Sequence, residues 1–171
     1  ITTVDGKREA RKLFPLSKPA TEGSQDLPDN AYVDGARTEY AMLKIDEAAN
    51  SGKPFFLAVG YSKPHLPFVA PKSYWDLYDK PGYELCLPET DDEPVDALGY
   101  SFPDWGELRG YEGGSLIPAS GPVSSAVERN LIHGYYACVS YVDTQLGRLM
   151  DALEAEGLAD NTIIVLWGDH G

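Results

Sequence analysis

Nowhere does the chain carry an apolar run long enough to cross a membrane. Its longest, Pro54 to Gly60 and Ile163 to Trp167, fall far short of the roughly 20 residues a spanning helix needs. Cysteine is nearly absent: Cys86 and Cys138 are the only two, far apart, without metal-type spacing, and they do not fix the redox compartment. Positive charge is scarce as well, with 14 Lys and Arg against 27 Asp and Glu and a formal net charge of -13. That balance argues against a nucleic-acid partner, because phosphate binding draws on clustered cations. An anionic substrate would need a few local cations or a metal to outweigh the global field. Internal repeats and a signal-peptide pattern are also missing.

What is present suits a globular protein: 171 residues, 43% of them hydrophobic, enough for a sizeable core. Residues 1–28 mix prolines and glycines with the basic cluster Lys7, Arg8, Arg11 and Lys12, which reads as an irregular, solvated surface. Asp29 or Asn30 can cap a helix running to about Asn50, with Val33, Ala36, Tyr40 and Leu43 spaced as its apolar stripe. Ser51-Gly52 ends it. Pro54–Tyr61 then reads as a buried strand, and Pro71–Tyr78 as a short amphipathic turn or helix.

A second helix-then-strand unit closes the chain. A long helix is expected from about Ser125 to Glu156, with Leu131, Tyr135, Cys138, Val142, Leu146, Leu149 and Leu153 as a single stripe. Cys138 on that stripe is read as core rather than nucleophile, and His133, off the stripe, receives no site role. Thr162–Trp167 follows as a β-branched run without alternation, suited to a sheet covered on both faces. Two such units predict an α/β fold with a mostly parallel sheet. Between them, residues 80–124 form an irregular Pro/Gly-rich insert. Its aromatics Tyr83, Tyr100, Phe102, Trp105 and Tyr111 favour an ordered, lid-like excursion over disorder, packing among themselves or offering faces to a ligand.

Chemistry concentrates at two places. In open α/β sheets ligands bind beyond the carboxyl ends of the parallel strands, where Asp169 and His170 fall after the terminal run; alternatively, Asp169 merely caps a turn and His170 is a hydrogen-bonded loop residue. After the first strand comes Lys63-Pro64-His65-Leu66-Pro67-Phe68, in which two prolines stiffen the loop around a lysine and a histidine. Such a pair can bind an oxyanion or donate a proton to a leaving oxygen; the plain alternative is a proline-stapled surface loop. If the two strands are near neighbours, both motifs reach one pocket.

With these residues in view the chain resembles the type I sulfatases, specifically those similar to iduronate-2-sulfatase. One stretch of likeness is Leu27 to Asp79, with Lys53-Pro54-Phe55-Phe56-Leu57-Ala58-Val59-Gly60-Tyr61 and the Pro-His-x-Pro loop. The other runs from Tyr135-Tyr136-Ala137-Cys138 to Asn161-Thr162-Ile163-Ile164 and Asp169-His170-Gly171. The resemblance implies an alkaline-phosphatase-like α/β/α sandwich, present only in part, with residues 1–171 an internal fragment of the catalytic domain. It implies hydrolysis of a sulfate ester on a sulfated carbohydrate, such as a sulfated uronate. The nucleophile would be a formylglycine, and a divalent cation, calcium first, would polarise the sulfate. By position, Asp169 and His170 would be metal ligands, His65 would contact the sulfate and assist the leaving oxygen, and Lys63 would help orient the anion. Imidazole is an unusual calcium ligand, and the Asp-His pair also suits zinc or manganese.

The family's Cys/Ser-x-Pro-x-Arg motif does not occur in the chain. Cys86-Leu87-Pro88-Glu89-Thr90 imitates its first three positions but carries Thr90 in place of the arginine, so the formylglycine is expected outside these residues and the isolated chain is expected to be inactive. The resemblance also suggests an exported or lysosomal compartment. Two other readings remain open: a metal-dependent phosphodiesterase or phosphomutase on the same fold, and a noncatalytic glycan-binding relative.

Overall fold

The structure is a computed structural model that describes residues 20–23, 25–80, 106–111, 117–119 and 123–168. Two long helices carry it. Helix α1 spans Val33–Ser51, and a 3-10 turn at Asp29–Ala31 leads into it. The expected side-chain cap is replaced: Tyr32 occupies the N-cap position without a side-chain hydrogen bond. At the other end Gly52 adopts a left-handed conformation at φ 62, which a residue without Cβ reaches at no steric cost.

Which face of α1 is buried differs from the expectation. Asp34, Gly35, Thr38, Ala41 and Ile45 face inward, while Val33 and Leu43 of the expected stripe are exposed. Two polar residues can occupy the inner face because both are satisfied there. Thr38 Oγ1 donates to the Asp34 carbonyl at 3.1 Å and shares a 2.9 Å hydrogen bond with the Tyr61 hydroxyl, and Asp34 is held by a loop described below.

A short parallel pair, β1 (Thr21–Glu22) and β2 (Phe68–Val69), registers Thr21 with Phe68 and Glu22 with Val69. After β2 comes α2, a single helical turn at Lys72–Trp75, shorter than the expected Pro71–Tyr78 element. In the insert lies α3, Gly106–Arg109. The long helix α4 spans Ser125–Ala155, and the Ser124 side chain accepts a hydrogen bond from Val127 N. Its inner face carries Gly134, Ala137, Cys138, Tyr141, Gln145 and Leu153; Tyr135 of the expected stripe is partly exposed instead. Small residues let the ribbon approach: a Cβ on Gly134 would stand 2.8 Å from Phe68 Cβ and 3.1 Å from Trp75 Cη2.

The core gathers Tyr32, Val69, Ala70, Ala137, Cys138 and Tyr141 where α1, β2, α2 and α4 meet. Tyr141 makes edge contacts with Tyr32 and Tyr74, centroids 6.1 and 5.3 Å apart, each worth about 0.5–1.5 kcal/mol beyond area burial. His133 is half-buried on α4 and, beyond what its place off the stripe suggested, makes specific contacts: Nε2 donates to the Trp75 carbonyl at 2.8 Å, and the ring lies 4.6 Å from the Trp75 ring. Cys138 is fully buried.

Neither expected long strand forms. Residues 54–60 and 162–168 pair with no strand among the described residues, and Phe56 and Ile163 are each 92% exposed. A strand exists only through its neighbours' backbone groups, so an apolar run without an adjacent edge stays unpaired whatever its propensity. The parallel hydrogen bonding that is present belongs to a pair the sequence pattern did not suggest.

Burial makes the core sensitive to alkali. Desolvation pushes Tyr32 and Tyr74 from 10.0 up to about 12 and Cys138 from 9.0 up to about 12, and raises Tyr141 as well. For acids whose folded values are raised, the contribution to stability is complete below their ordinary values and is lost as pH climbs through the folded ones. Unfolding is therefore expected between pH 10 and about 12, with tyrosinate absorbance and loss of helical circular dichroism moving together. Buried tyrosines ionising while the helix signal stays intact would contradict this. Below that window the Cys138 thiol should resist iodoacetamide, followed by peptide-resolved mass spectrometry.

Candidate functional site

The loop from Gly60 to Pro67 is held at both ends and from within. It follows residues 54–60, meets α1 through Arg37 on the Gly60 carbonyl and Thr38 on the Tyr61 hydroxyl, and delivers the chain into β2. Both X-Pro bonds, Lys63-Pro64 and Leu66-Pro67, are cis, and His65 N donates to the Ser62 carbonyl at 3.0 Å. Lys63 binds its own loop: Nζ donates to the His65 carbonyl at 2.9 Å and the Pro67 carbonyl at 2.7 Å. Burial pulls this ammonium below its usual range, opposed by the nearby Cys138 and Asp34.

The external anchor is Asp34, in the first turn of α1 and only 2% exposed. Its carboxylate accepts Ser62 N at 3.0 Å on both oxygens and Lys63 N at 2.9 Å. Arg37, one turn further along the helix, donates to Asp34 Oδ1 at 2.8 Å, to Ser62 Oγ at 2.7 Å and to the Gly60 carbonyl at 3.3 Å. Charge-assisted bonds of this kind are roughly twice as strong as neutral ones, and every group around the buried carboxylate is a donor.

On this frame His65 is exposed, 64% of its side chain reaching solvent. Nδ1 lies 2.8 Å from the Leu66 carbonyl. A carbonyl only accepts, so Nδ1 carries a proton and Nε2 is the nitrogen left to exchange one. Nε2 has no hydrogen-bond partner among the described residues. From the insert, Glu107 on α3 places Oε1 3.8 Å from His65 Nδ1 and accepts from the Tyr111 hydroxyl at 3.1 Å. Leu108 and Ile117 of the same insert are buried. The insert therefore reaches the Pro-His-x-Pro loop, although Tyr83, Tyr100, Phe102, Trp105 and the Cys86–Thr90 stretch lie outside the described residues.

Lys63 and His65 are brought together in one loop by a hydrogen-bonded turn, His65 N to the Ser62 carbonyl, and by the Lys63 ammonium on the His65 carbonyl. Asp169 and His170 lie outside the described residues, and so does their distance from His65. Among the described residues no three His, Cys, Asp or Glu side chains come together to hold a metal, and no helix is long and apolar enough to cross a membrane. The donor set named from the sequence, one carboxylate and one imidazole, suits a divalent cation, the imidazole being less suited to calcium than the carboxylate.

Sequence reasoning missed Asp34 and Arg37. Their i, i+3 spacing on a helix is a common surface pattern. The faint signal was their place in the first two turns of a helix that leads directly into the loop's strand-like run; nothing local shows that the loop partners of Asp34 lie 28 and 29 residues away and those of Arg37 23 and 25.

Comparison with known proteins places this geometry in context. The family description Sulfatase matches residues 11–171. The chain is 35% identical over 170 residues to iduronate 2-sulfatase of Homo sapiens, covering 98% of this chain and 30% of that protein. Iduronate 2-sulfatase of Mus musculus is likewise 35% identical over 170 residues, covering 98% of this chain and 29% of that protein. A sulfatase of Formosa agariphila is 37% identical over 124 residues, covering 71% of this chain and 23% of that protein. The chain thus spans less than a third of the length of these relatives.

Proposed function

The chain belongs to the sulfatase family and to its alkaline-phosphatase-like fold class, and on that premise we propose that residues 1–171 form an internal part of a sulfatase catalytic domain acting on a sulfated sugar, such as a sulfated uronate. The observation that carries this reading is the family match from residue 11 to residue 171. The names of the mammalian relatives support a uronate, and an exported or lysosomal compartment accompanies the proposal.

Within it, His65 contacts the sulfate and, when protonated at both ring nitrogens, gives its Nε2 proton to the leaving oxygen as the S–O bond breaks. The Leu66 carbonyl retains the Nδ1 proton, so the ring returns to the Nδ1–H tautomer with Nε2 free to take up a new proton from water. Lys63 orients the anion indirectly: its ammonium holds the His65 and Pro67 carbonyls and so keeps the loop curled about the imidazole. Asp169 and His170 would hold a divalent cation, calcium first, which supplies polarisation of the sulfate oxygens, while a formylglycine outside these residues supplies the nucleophile. Glu107 brings α3 to His65, and Tyr111, bonded to Glu107, contributes a face for a sugar ring.

The test compares the complete enzyme on a chromogenic aryl sulfate, an aryl phosphate and a bis-aryl phosphate. Turnover is expected on the sulfate, abolished by chelation and restored by calcium, with none from the isolated 171-residue chain. Preference for either phosphate ester would replace this reading with a phosphodiesterase or phosphomutase. Retention of sulfated sugar with no turnover would indicate a noncatalytic binding protein.

A further inference from the structure

We infer that Asp34 is a positioning residue for His65, acting through the backbone of Ser62 and Lys63; this rests on the sulfatase reading for its kinetic consequence and on geometry alone for its structural one. A path of hydrogen bonds runs from helix to imidazole. The Asp34 carboxylate holds two consecutive peptide N–H groups, Ser62 and Lys63. The Lys63 ammonium holds the His65 carbonyl, and His65 Nδ1 holds the Leu66 carbonyl. Fixing two successive peptide planes fixes the direction in which the chain enters Pro64 and His65. Arg37 ties the preceding residues to the same carboxylate through Gly60 and Ser62.

A merely structural role is the weaker account. Burying a carboxylate is costly, and an apolar side chain usually serves a core better than a buried ion. What an apolar residue cannot do is accept from two adjacent amides and a guanidinium at once. The burial of Asp34 therefore secures loop geometry, and that geometry is spent on an exposed histidine with one ring nitrogen left open.

Asp34→Asn keeps the shape but turns one acceptor oxygen into an NH2 group facing donors. In the complete enzyme it should lower kcat on an aryl sulfate by about 100-fold, as a displacement of roughly 1 Å can, with KM changing far less. In a His65→Ala background the same substitution should cost less than about threefold, because residues acting as one unit are not additive. Equal losses in both backgrounds would overturn the inference, as would unchanged kcat. Amide hydrogen exchange at Ser62 and Lys63 should accelerate in Asp34→Asn, and the His65 ring NMR signals should collapse toward those of a free histidine. Unchanged exchange and ring signals overturn the inference even if wild-type enzyme turns over no sulfate ester, an outcome that defeats the sulfatase reading separately. If Asp34→Asn does not fold, Arg37→Gln in both backgrounds decides the same question, with a smaller loss expected in the same direction.

Discussion

His65→Ala in the complete enzyme is expected to lower kcat on an aryl sulfate by about 10²- to 10⁴-fold, the range over which a positioned proton donor contributes. A poor leaving group makes the loss larger, because an alkoxide departs slowly without a proton, so the ratio should widen from an aryl to an alkyl sulfate. Stability should barely change: the ring is 64% exposed, and its Glu107 partner at 3.8 Å is a surface pair of the kind worth about 0–1 kcal/mol. His65→Asn sharpens the point. Its amide N–H2 can replace the bond to the Leu66 carbonyl but has no proton to give, so it should preserve the loop and still lose kcat. Equal turnover by wild type and His65→Ala would remove the imidazole from the mechanism, and recovery of activity in His65→Asn would reduce it to a loop-holding group.

Gly35→Ala is expected to be among the most destabilising single changes in the described residues. Gly35 N donates to the Tyr141 hydroxyl at 2.5 Å, and that hydroxyl donates onward to the Asp29 carbonyl at 3.0 Å. A Cβ at Gly35 would stand 2.8 Å from the Tyr141 hydroxyl and would overlap the Asp29 carbonyl group. The obstacle is backbone rather than the end of a flexible side chain, so α1 must move away from the turn that precedes it. The Asp29 side chain is committed as well, accepting from the Tyr74 hydroxyl at 2.7 Å and Gln145 Nε2 at 2.6 Å. Overpacking costs about 1–3 kcal/mol, and each buried group left unsatisfied about 1–3 kcal/mol. Against this, alanine's better helix propensity returns only about 1 kcal/mol. The net loss should be about 1–5 kcal/mol, read from the urea midpoint at unchanged slope. An unchanged midpoint would mean that the Asp29 turn yields freely.

Reading local order from the pattern succeeds where local physics governs. The long helix appears within a residue of the expected Ser125–Glu156 span, since three-and-four spacing over eight turns has no competing interpretation. Gly52 stops α1 as expected, and Cys138 is buried as expected. On α1 the pattern misleads: Val33 and Leu43 lie outside while Asp34 and Thr38 lie inside. Apolar spacing assumes that the core rejects polar groups, and here Asp34 enters because Ser62, Lys63 and Arg37 meet it. Residues 54–60 and 162–168 mislead for the converse reason, being apolar and β-branched with no strand beside them among the described residues.

The same division runs through the candidate site. Lys63 and His65 are legible because two prolines and a known family's loop mark them. The lysine's actual occupation, binding carbonyls of its own loop rather than open solvent, is not legible, and neither is the approach of Glu107 from a segment without periodicity.

Residue types, short motifs and short-range spacing carry the family, the α/β class, the glycine stop of α1 and the extent of α4, whereas α1 begins at Val33, after a 3-10 turn, and not from a cap at Asp29 or Asn30. Which face of α1 turns inward, which imidazole nitrogen is left open and which residues hold the loop emerge only in the folded chain. The imidazole is set by a bond to the next residue, Leu66; the other two outcomes depend on hydrogen bonds between groups 23 to 106 residues apart. A buried polar group reveals its purpose only when its distant partners are in place.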